Sequence, residues 1–502
     1  MENILIGFSN VFSVETFLIL IAGVLGGIII GALPGLTSTM GVALLLPITY
    51  GMEATVGIVM LLGIYCGSVY GGSISAILLS TPGTPASAAT VLDGHPMALR
   101  GEGGRALTIS TIASTFGGVI SGLMLIFISP IIAQFALKFG ATEFFALAVF
   151  GLSIIVGISN KSIAKGLSAG FLGLLLATVG IDDITGSVRF TFGVSDLNTG
   201  FQLIPAMIGL FAISQVFLRL EEKVKSEIIT QKKFSLIPSK SDLKVIFSTS
   251  AWSSILGAFI GAIPGTGGDI AAWTSYNVAK RTSKHPEEFG TGCAKGIAAP
   301  ESANNGTTGG TLIPLLTLGI PGDGTVAIML SALMINGLNP GLSLFTTDGD
   351  IMYAIMLGLI LVNLFMFLQG KFLTTLFAKV VSIPQEILTP IIVIFCFAGA
   401  YSVNENYFDV AVALVFGILA WILRKLDLPP VPILLGLVLG RMTETNFRRA
   451  LLISNGDPSI FLSSIYCKIF LALIVIAVGA IVRGKLKEQK AAKAAAAQKE
   501  SN

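Results

Sequence analysis

Long stretches without a single charged side chain constrain this 502-residue chain more than any other feature. No Asp, Glu, Lys or Arg occurs between Glu15 and Glu53, between Glu53 and Asp93, or between Arg105 and Lys138. The same holds from Lys244 to Asp269, Glu301 to Asp323, Asp323 to Asp348 and Asp350 to Lys371. About 20 apolar residues span a bilayer as a helix, so each gap holds one crossing and the longest hold a hairpin. Charged residues make up 12% of the chain, against about 25% in soluble proteins. A soluble fold of this length would lack the charge for a water-facing surface, and lipid must be the solvent for much of it.

Helices and closed β-barrels are the structures that pair every backbone polar group within lipid. Barrel strands alternate apolar and polar residues, whereas residues 351–362 and 470–478 are continuously apolar. The expected fold is therefore an all-α polytopic membrane protein of 10–12 transmembrane helices with re-entrant or broken segments. Candidate spans are 17–33, 106–133, 144–158, 166–181 and 201–218, then 246–263, 351–369, 387–401, 410–423 and 461–482. Glu2 and Glu15 stand where a signal peptide would carry a basic region, which argues against cleavage. The four cysteines are scattered without metal-ligand or disulfide spacing and read as small core residues. His95 and His285, each before a proline, are too few for a metal site. A net charge of +3 is too small to suggest nucleic-acid binding. No Walker A sequence, Ser/His/Asp arrangement or His-Glu-x-x-His is present, so neither ATP hydrolysis nor another enzyme activity is expected, and no catalytic residue is assigned.

A charged segment at 219–244, rich in lysine, divides the chain into hydrophobic halves at 1–218 and 245–482. Its lysine excess places it in the cytoplasm, as does that of the basic, alanine-rich tail 483–502, expected to be disordered. The halves echo each other. Gly31-Ala-Leu-Pro-Gly-Leu-Thr-Ser-Thr in the first corresponds to Gly261-Ala-Ile-Pro-Gly-Thr-Gly-Gly-Asp in the second. Downstream, Gly71-Gly-Ser leads to Thr81-Pro-Gly-Thr, as Gly309-Gly-Thr leads to Ile320-Pro-Gly-Asp. Four landmarks in one order indicate an internal repeat of about 230 residues, inverted or parallel.

Pro-Gly inside an apolar run breaks a helix, because proline removes a donor and glycine tolerates the backbone that results. Unwound backbone persists in a membrane only where protein or a wet cavity surrounds it. Interrupted segments at matching places in two halves point to a transporter's substrate site. New helix starts offer N–H groups to an anion, and old helix ends offer carbonyls to a cation. The candidate substrate-binding residues are Pro34, Gly35, Thr37, Ser38, Thr39, Pro82, Gly83 and Thr84. From the second half come Pro264, Gly265, Thr266, Gly267, Asn304, Asn305, Pro321 and Gly322. The polar run 299–310 implies water or ligand beside it. Asp269, Glu301 and Asp323 are the acids nearest the interruptions and the candidates for coupling Na⁺ or H⁺, although helix capping at an interface would also explain Glu301 and Asp269. Asp93-Gly-His-Pro with Arg100, Glu102 and Arg105 reads as a loop outside the membrane whose arginines set topology.

These strings, together with Tyr70-Gly-Gly-Ser-Ile-Ser-Ala-Ile-Leu-Leu, Ala299-Pro-Glu-Ser-Ala-Asn-Asn and Leu318-Gly-Ile-Pro-Gly-Asp, are long and unusual. Over about 14–482 the chain resembles the large membrane subunit of the tripartite tricarboxylate transporter family, the TctA type. The resemblance implies a multi-pass permease of the bacterial inner membrane with two partners, a small four-helix membrane subunit and a periplasmic solute-binding protein. It implies symport of a carboxylate such as citrate, driven by Na⁺ or H⁺ and needing no other cofactor, and by analogy an elevator-like movement. An ion channel, a carboxylate transporter outside the tripartite class and an intramembrane enzyme are the alternatives. Duplicated broken helices favour alternating access over a pore, and the enzyme lacks a nucleophile–base pair or a metal cluster.

Overall fold

The computed structural model describes residues 2–33, 36–153, 163–182, 184–221, 238–264, 266–374, 376–377, 385–476, 478–479 and 483. Among them the regular structure is helical, apart from one antiparallel pairing of Gly180–Ile181 with Val188–Arg189. The chain is an all-α polytopic membrane protein. Residues 222–237 of the expected linker and 484–502 of the tail lie outside the described residues.

Helices of the two sequence halves follow one order: long, short, long, short, long. The first half supplies α1 (Val14–Ala32), α2 (Ser38–Leu45), α3 (Ala54–Leu79), α4 (Ala88–Leu99) and α5 (Gly103–Ala136). The second supplies α6 (Lys240–Ala262), α7 (Gly267–Thr282), α8 (Ala294–Leu318), α9 (Gly324–Ile335) and α10 (Gly349–Phe372), with a single turn at Leu342–Thr346 before the last. Local chemistry sets the ends. A residue before proline is driven out of the helical region. Leu33 (φ −81°, ψ 115°) and Ile263 (φ −86°, ψ 109°), each before a proline, accordingly end α1 and α6 in extended backbone. α3 and α8 stop at left-handed residues, Ser80 (φ 57°) and Gly319 (φ 71°). Side-chain caps start the next elements: Ser13 for α1, Thr37 for α2, Asp323 for α9, and for α6 Ser239 in a reciprocal box with Asp242.

Glycine contacts pair the long helices. Gly23, Gly27 and Gly31 of α1 face Gly63, Gly67 and Gly71 of α3, and a Cβ at Gly27 would lie 2.5 Å from the Ile64 carbonyl. The second half repeats this with Gly257 and Gly261 of α6 against Gly306 and Gly310 of α8, where a Cβ at Gly306 would lie 2.7 Å from the Ser254 carbonyl. In lipid, where apolar burial drives helix association little, such backbone approach supplies the packing energy.

α8 is buried from Gly296 to Thr317 although its glycines, prolines, asparagines and threonines are poor helix formers. Its environment forces the helix, because buried backbone must pair internally. Thr307, Thr308, Thr311 and Thr317 return their hydroxyls to carbonyls of their own helix. Within the polar run 299–310 the threonines thus satisfy their hydroxyls internally. A correction concerns Asp93-Gly-His-Pro, which forms the middle of α4 rather than a loop. Asp93 is fully buried and accepts from Gly290 N, Gly292 N, Cys293 N and the Tyr276 hydroxyl. Arg100 donates to the Thr291 and Gly292 carbonyls of the same loop, and Arg105 is tied to Asp242 and Glu102.

Among the described residues, six helices are long and apolar enough to cross a membrane by length and composition: α1, α3, α5, α6, α10 and Tyr407–Lys425. Against the 10–12 expected, further apolar segments form shorter helices, among them Ala141–Ser153, Ile163–Ala177, Leu203–Leu218, Thr389–Ser402 and Ile465–Ile476.

Two compact units cut across the sequence halves. The first, Met1–Leu137 with Gln202–Ile422, contains α1–α10. Within it, the helix through Leu203–Glu221 carries a π-helical turn at Ile208–Ile213 packed on α2. The second unit is Lys138–Phe201 with Leu423–Asn502. There Ala141–Ser153 and Ile163–Ala177 pack on Pro430–Ile453. Arg448 (2.6 Å) and Arg189 (3.5 Å) converge on Asp182, whose carboxyl the Arg448 guanidinium holds well below the usual carboxylate range. Glu444 bridges the two arginines.

Candidate functional site

The four interruptions lie in the first unit and meet there. Thr39, in the first turn of α2, places its hydroxyl 3.0 Å from that of Thr325, in the first turn of α9. Thr37 caps α2 by accepting from Met40 N, and Ser38 beside it is buried. Gly83, in the break after α3, packs on the Gly31 carbonyl at the end of α1 and donates to the Gly72 carbonyl. Thr84 and Ser87 cap one another in that break. The segment Pro85–Ser87 contacts α7, and Gly268 in the first turn of α7 approaches Ala86, Asn304 and Thr307 closely. Thr266 returns its hydroxyl to the Ile260 and Ile263 carbonyls at the end of α6, which also accept the Ile263 and Thr266 N–H groups.

Acids gather on the second-half side. Asp323 accepts from Val326 N, both contacts at 2.8 Å when the Tyr65 hydroxyl from α3 is included. Tyr65 also approaches Thr311 of α8, on which Gly322 packs. Asp269, in the first turn of α7, is close enough to act electrostatically on Asp323. Among the described residues no lysine, arginine or histidine acts on either carboxyl. On α8, the Asn304 Nδ2 and Asn305 Oδ1 atoms are buried and without partners. Two helix starts, several hydroxyls, a free amide donor and two unneutralised acids therefore share one region. The arrangement suits a small oxygen-rich anion only together with a cation.

A family model for the tripartite tricarboxylate transporter TctA family matches residues 17–435. The chain belongs to that family. It is a tricarboxylate transporter subunit of the multi-pass membrane type. An uncharacterized 52.8 kDa protein of the TAR-I ttuC' 3'region of Agrobacterium vitis is 38% identical over 488 residues, covering 96% of this chain and 97% of the relative. An uncharacterized protein of the TAR-II ttuC' 3'region of the same organism is 40% identical over 208 residues, 41% of this chain and 86% of the relative. No solved structure matches.

The TctA chain thus brings together Thr37, Ser38, Thr39, Pro82, Gly83, Thr84, Pro264, Thr266, Gly267, Pro321, Gly322, Asp269 and Asp323 at its helix breaks. Asn304 faces Gly268. Pro34, Gly35 and Gly265 lie outside the described residues. Glu301 stands apart: it is buried mid-helix in α8, facing Thr90 of α4 and Ser114 of α5, and caps nothing. Tyr65, Thr311 and Thr325 were missed from sequence. Tyr65 had a signal, being one of two phenols, with Tyr70, within a charge-free stretch of 39 residues between Glu53 and Asp93.

Proposed function

We propose that this TctA chain is the permease subunit of a tripartite secondary active transporter in the bacterial inner membrane. It imports small di- or tricarboxylates such as citrate by symport with Na⁺ or H⁺. The observation that supports the reading is the meeting of four helix breaks around Asp269 and Asp323, two carboxyls without a basic partner among the described residues. Two negative groups repel an anionic substrate, and in a low-dielectric site that repulsion is strong. A cation bound between them removes it, so cation and carboxylate bind more tightly together than apart. Carboxylate oxygens are received by the hydroxyls of Thr37, Thr39 and Thr84, by backbone N–H groups at the starts of α2 and α9, and by Asn304. A periplasmic solute-binding protein delivers the substrate, and a small four-helix membrane subunit completes the complex.

The test is uptake of labelled citrate into proteoliposomes containing this chain and its small membrane partner, with the binding protein outside. Accumulation that requires both the binding protein and an inward Na⁺ or H⁺ gradient is the expected result. Failure with both gradients and a panel of carboxylates overturns the reading.

A further inference from the structure

Among the described residues, the side chains bonded to the Glu301 carboxyl are hydroxyls. Its Oε1 accepts from the Thr90 hydroxyl at 2.5 Å and its Oε2 from the Ser114 hydroxyl at 2.9 Å, while Ser110 is a third hydroxyl neighbour. The side chain is fully buried, and among the described residues no lysine, arginine or histidine pairs with it. An uncompensated carboxylate inside a membrane protein is costly and marks function. Here the neighbours are hydroxyls at hydrogen-bond distance, and each can turn from donor to acceptor. That shell serves both the carboxylate and the protonated carboxyl.

Two hydrogen-bonded groups of hydroxyls stand between this carboxyl and a surface cavity. The Tyr70 hydroxyl of α3 is near enough to feel the Glu301 charge and lies 2.7 Å from the Thr111 hydroxyl of α5. Ser110 is also bonded to Ser73 at 2.7 Å, and Ser73 to the Tyr70 carbonyl. Thr111 lines a cavity of about 210 Å³ with Thr108, Pro238, Gly370 and the exposed Lys371. Gly370, on the cavity wall, packs directly on the buried Tyr70 hydroxyl, since a Cβ there would lie 2.9 Å from it and 2.8 Å from Thr111.

We propose that Glu301 is a proton-binding site of the transport cycle, separate from the substrate region, which exchanges its proton with this cavity through the Tyr70, Thr111 and Ser110 hydroxyls. The inference rests on the transporter reading and assigns one coupling ion within it. Only protons move: the O–H bond formed on Glu301 matches one broken on a hydroxyl, which takes another proton from cavity water. The other ionisable groups on the surrounding helices are engaged elsewhere. Asp93 of α4 and Tyr276 of α7 bind each other, and His95 of α4 contacts the Ile77 carbonyl. Arg105 of α5 is paired with Asp242 of α6, and Asp323 with Tyr65 of α3. Asp269 of α7 acts on Asp323, and towards α8 the α6 helix presents Ser250 and Ser253.

The test compares wild type and E301Q in the reconstituted complex, with Na⁺ equal on both sides and a pH difference imposed. One pH unit is worth about 1.4 kcal/mol per coupled proton, up to about tenfold in accumulation. Wild type is expected to respond on that scale, and E301Q to give the same accumulation with and without the pH difference. Equal responses in the two proteins overturn the proposal, as does a wild type driven by Na⁺ and indifferent to pH. A wild type inactive under every gradient instead defeats the transporter reading. A second readout needs no transport: infrared difference spectra of the purified full chain across a pH titration. The carbonyl stretch of a protonated carboxyl should be present in wild type and lost in E301Q, and its deuterium exchange should slow in Gly370→Ala. Should E301Q fail to fold, unchanged exchange in Gly370→Ala and Tyr70→Phe overturns the proposal.

Discussion

α3 and α8 occupy equivalent places in the two halves, yet their chemistry differs. Both are long, buried and joined by glycine contacts to the helix two elements earlier, and both end at a left-handed residue before a Pro-Gly break. α3 is charge-free and contributes the Tyr65 and Tyr70 phenols, whereas α8 carries Glu301, Asn304 and Asn305. All three acids considered for coupling, Asp269, Glu301 and Asp323, belong to the second half, while the first supplies hydroxyls to two of them. The glycine-packed frame is shared, and the ionisable chemistry is one-sided. A frame held by backbone packing thus leaves the side-chain chemistry of the two halves free to differ.

The most severe way to break that correspondence is to fill a shared contact. Gly27→Val and Gly306→Val each drive side-chain atoms into a facing carbonyl, and overpacking costs about 1–3 kcal/mol or more. Both should lose the monodisperse peak in detergent chromatography to a similar extent, and tolerance of one alone would show that the halves are not packed alike. Asp323→Asn keeps a good helix cap but removes a charge found only in the second half. Uptake should fall by at least about tenfold, or about 1.4 kcal/mol, with little change in melting temperature. Thr39→Val and Thr325→Val remove opposite ends of one hydrogen bond between halves, worth about 0.5–1.5 kcal/mol. The double variant should be no worse than the poorer single one, as measured by thermal unfolding. Smallest is a control in the second unit. Because Asp182 has its carboxyl depressed by Arg448, its stabilising contribution is present above the unfolded value of about 3.9 and is lost as pH falls through the still lower folded value. Asp182→Asn should flatten the melting curve against pH below about 4 and leave citrate uptake at neutral pH unchanged.

The helix breaks were legible because Pro-Gly within an apolar run has few other uses. Leu33 and Ile263 stop their helices for the local reason that proline dictates. α8 was less legible: Gly306, Gly309, Gly310 and its threonines argue against a helix locally, and only burial among α5, α6 and α7 overrides them. Asp93 was misread for a related reason. Its flanking glycine and proline suggest a loop, while the groups that fix it, the backbone of residues 290–293, lie about 200 positions away. The meeting of Thr39 with Thr325, 286 residues apart, likewise has no local signature.

The glycine contacts of α1 with α3 and of α6 with α8 also have a mechanical consequence. Where backbone rests on backbone, neither helix can slide or rotate against its mate without collision, so each pair acts as a stiff beam. The short helices α2, α4, α7 and α9, with the breaks that join them to the beams, are left to absorb displacement within this unit. A substrate held at those breaks sits on the joints of the structure, where its arrival and departure can reset the angles between parts that do not themselves bend.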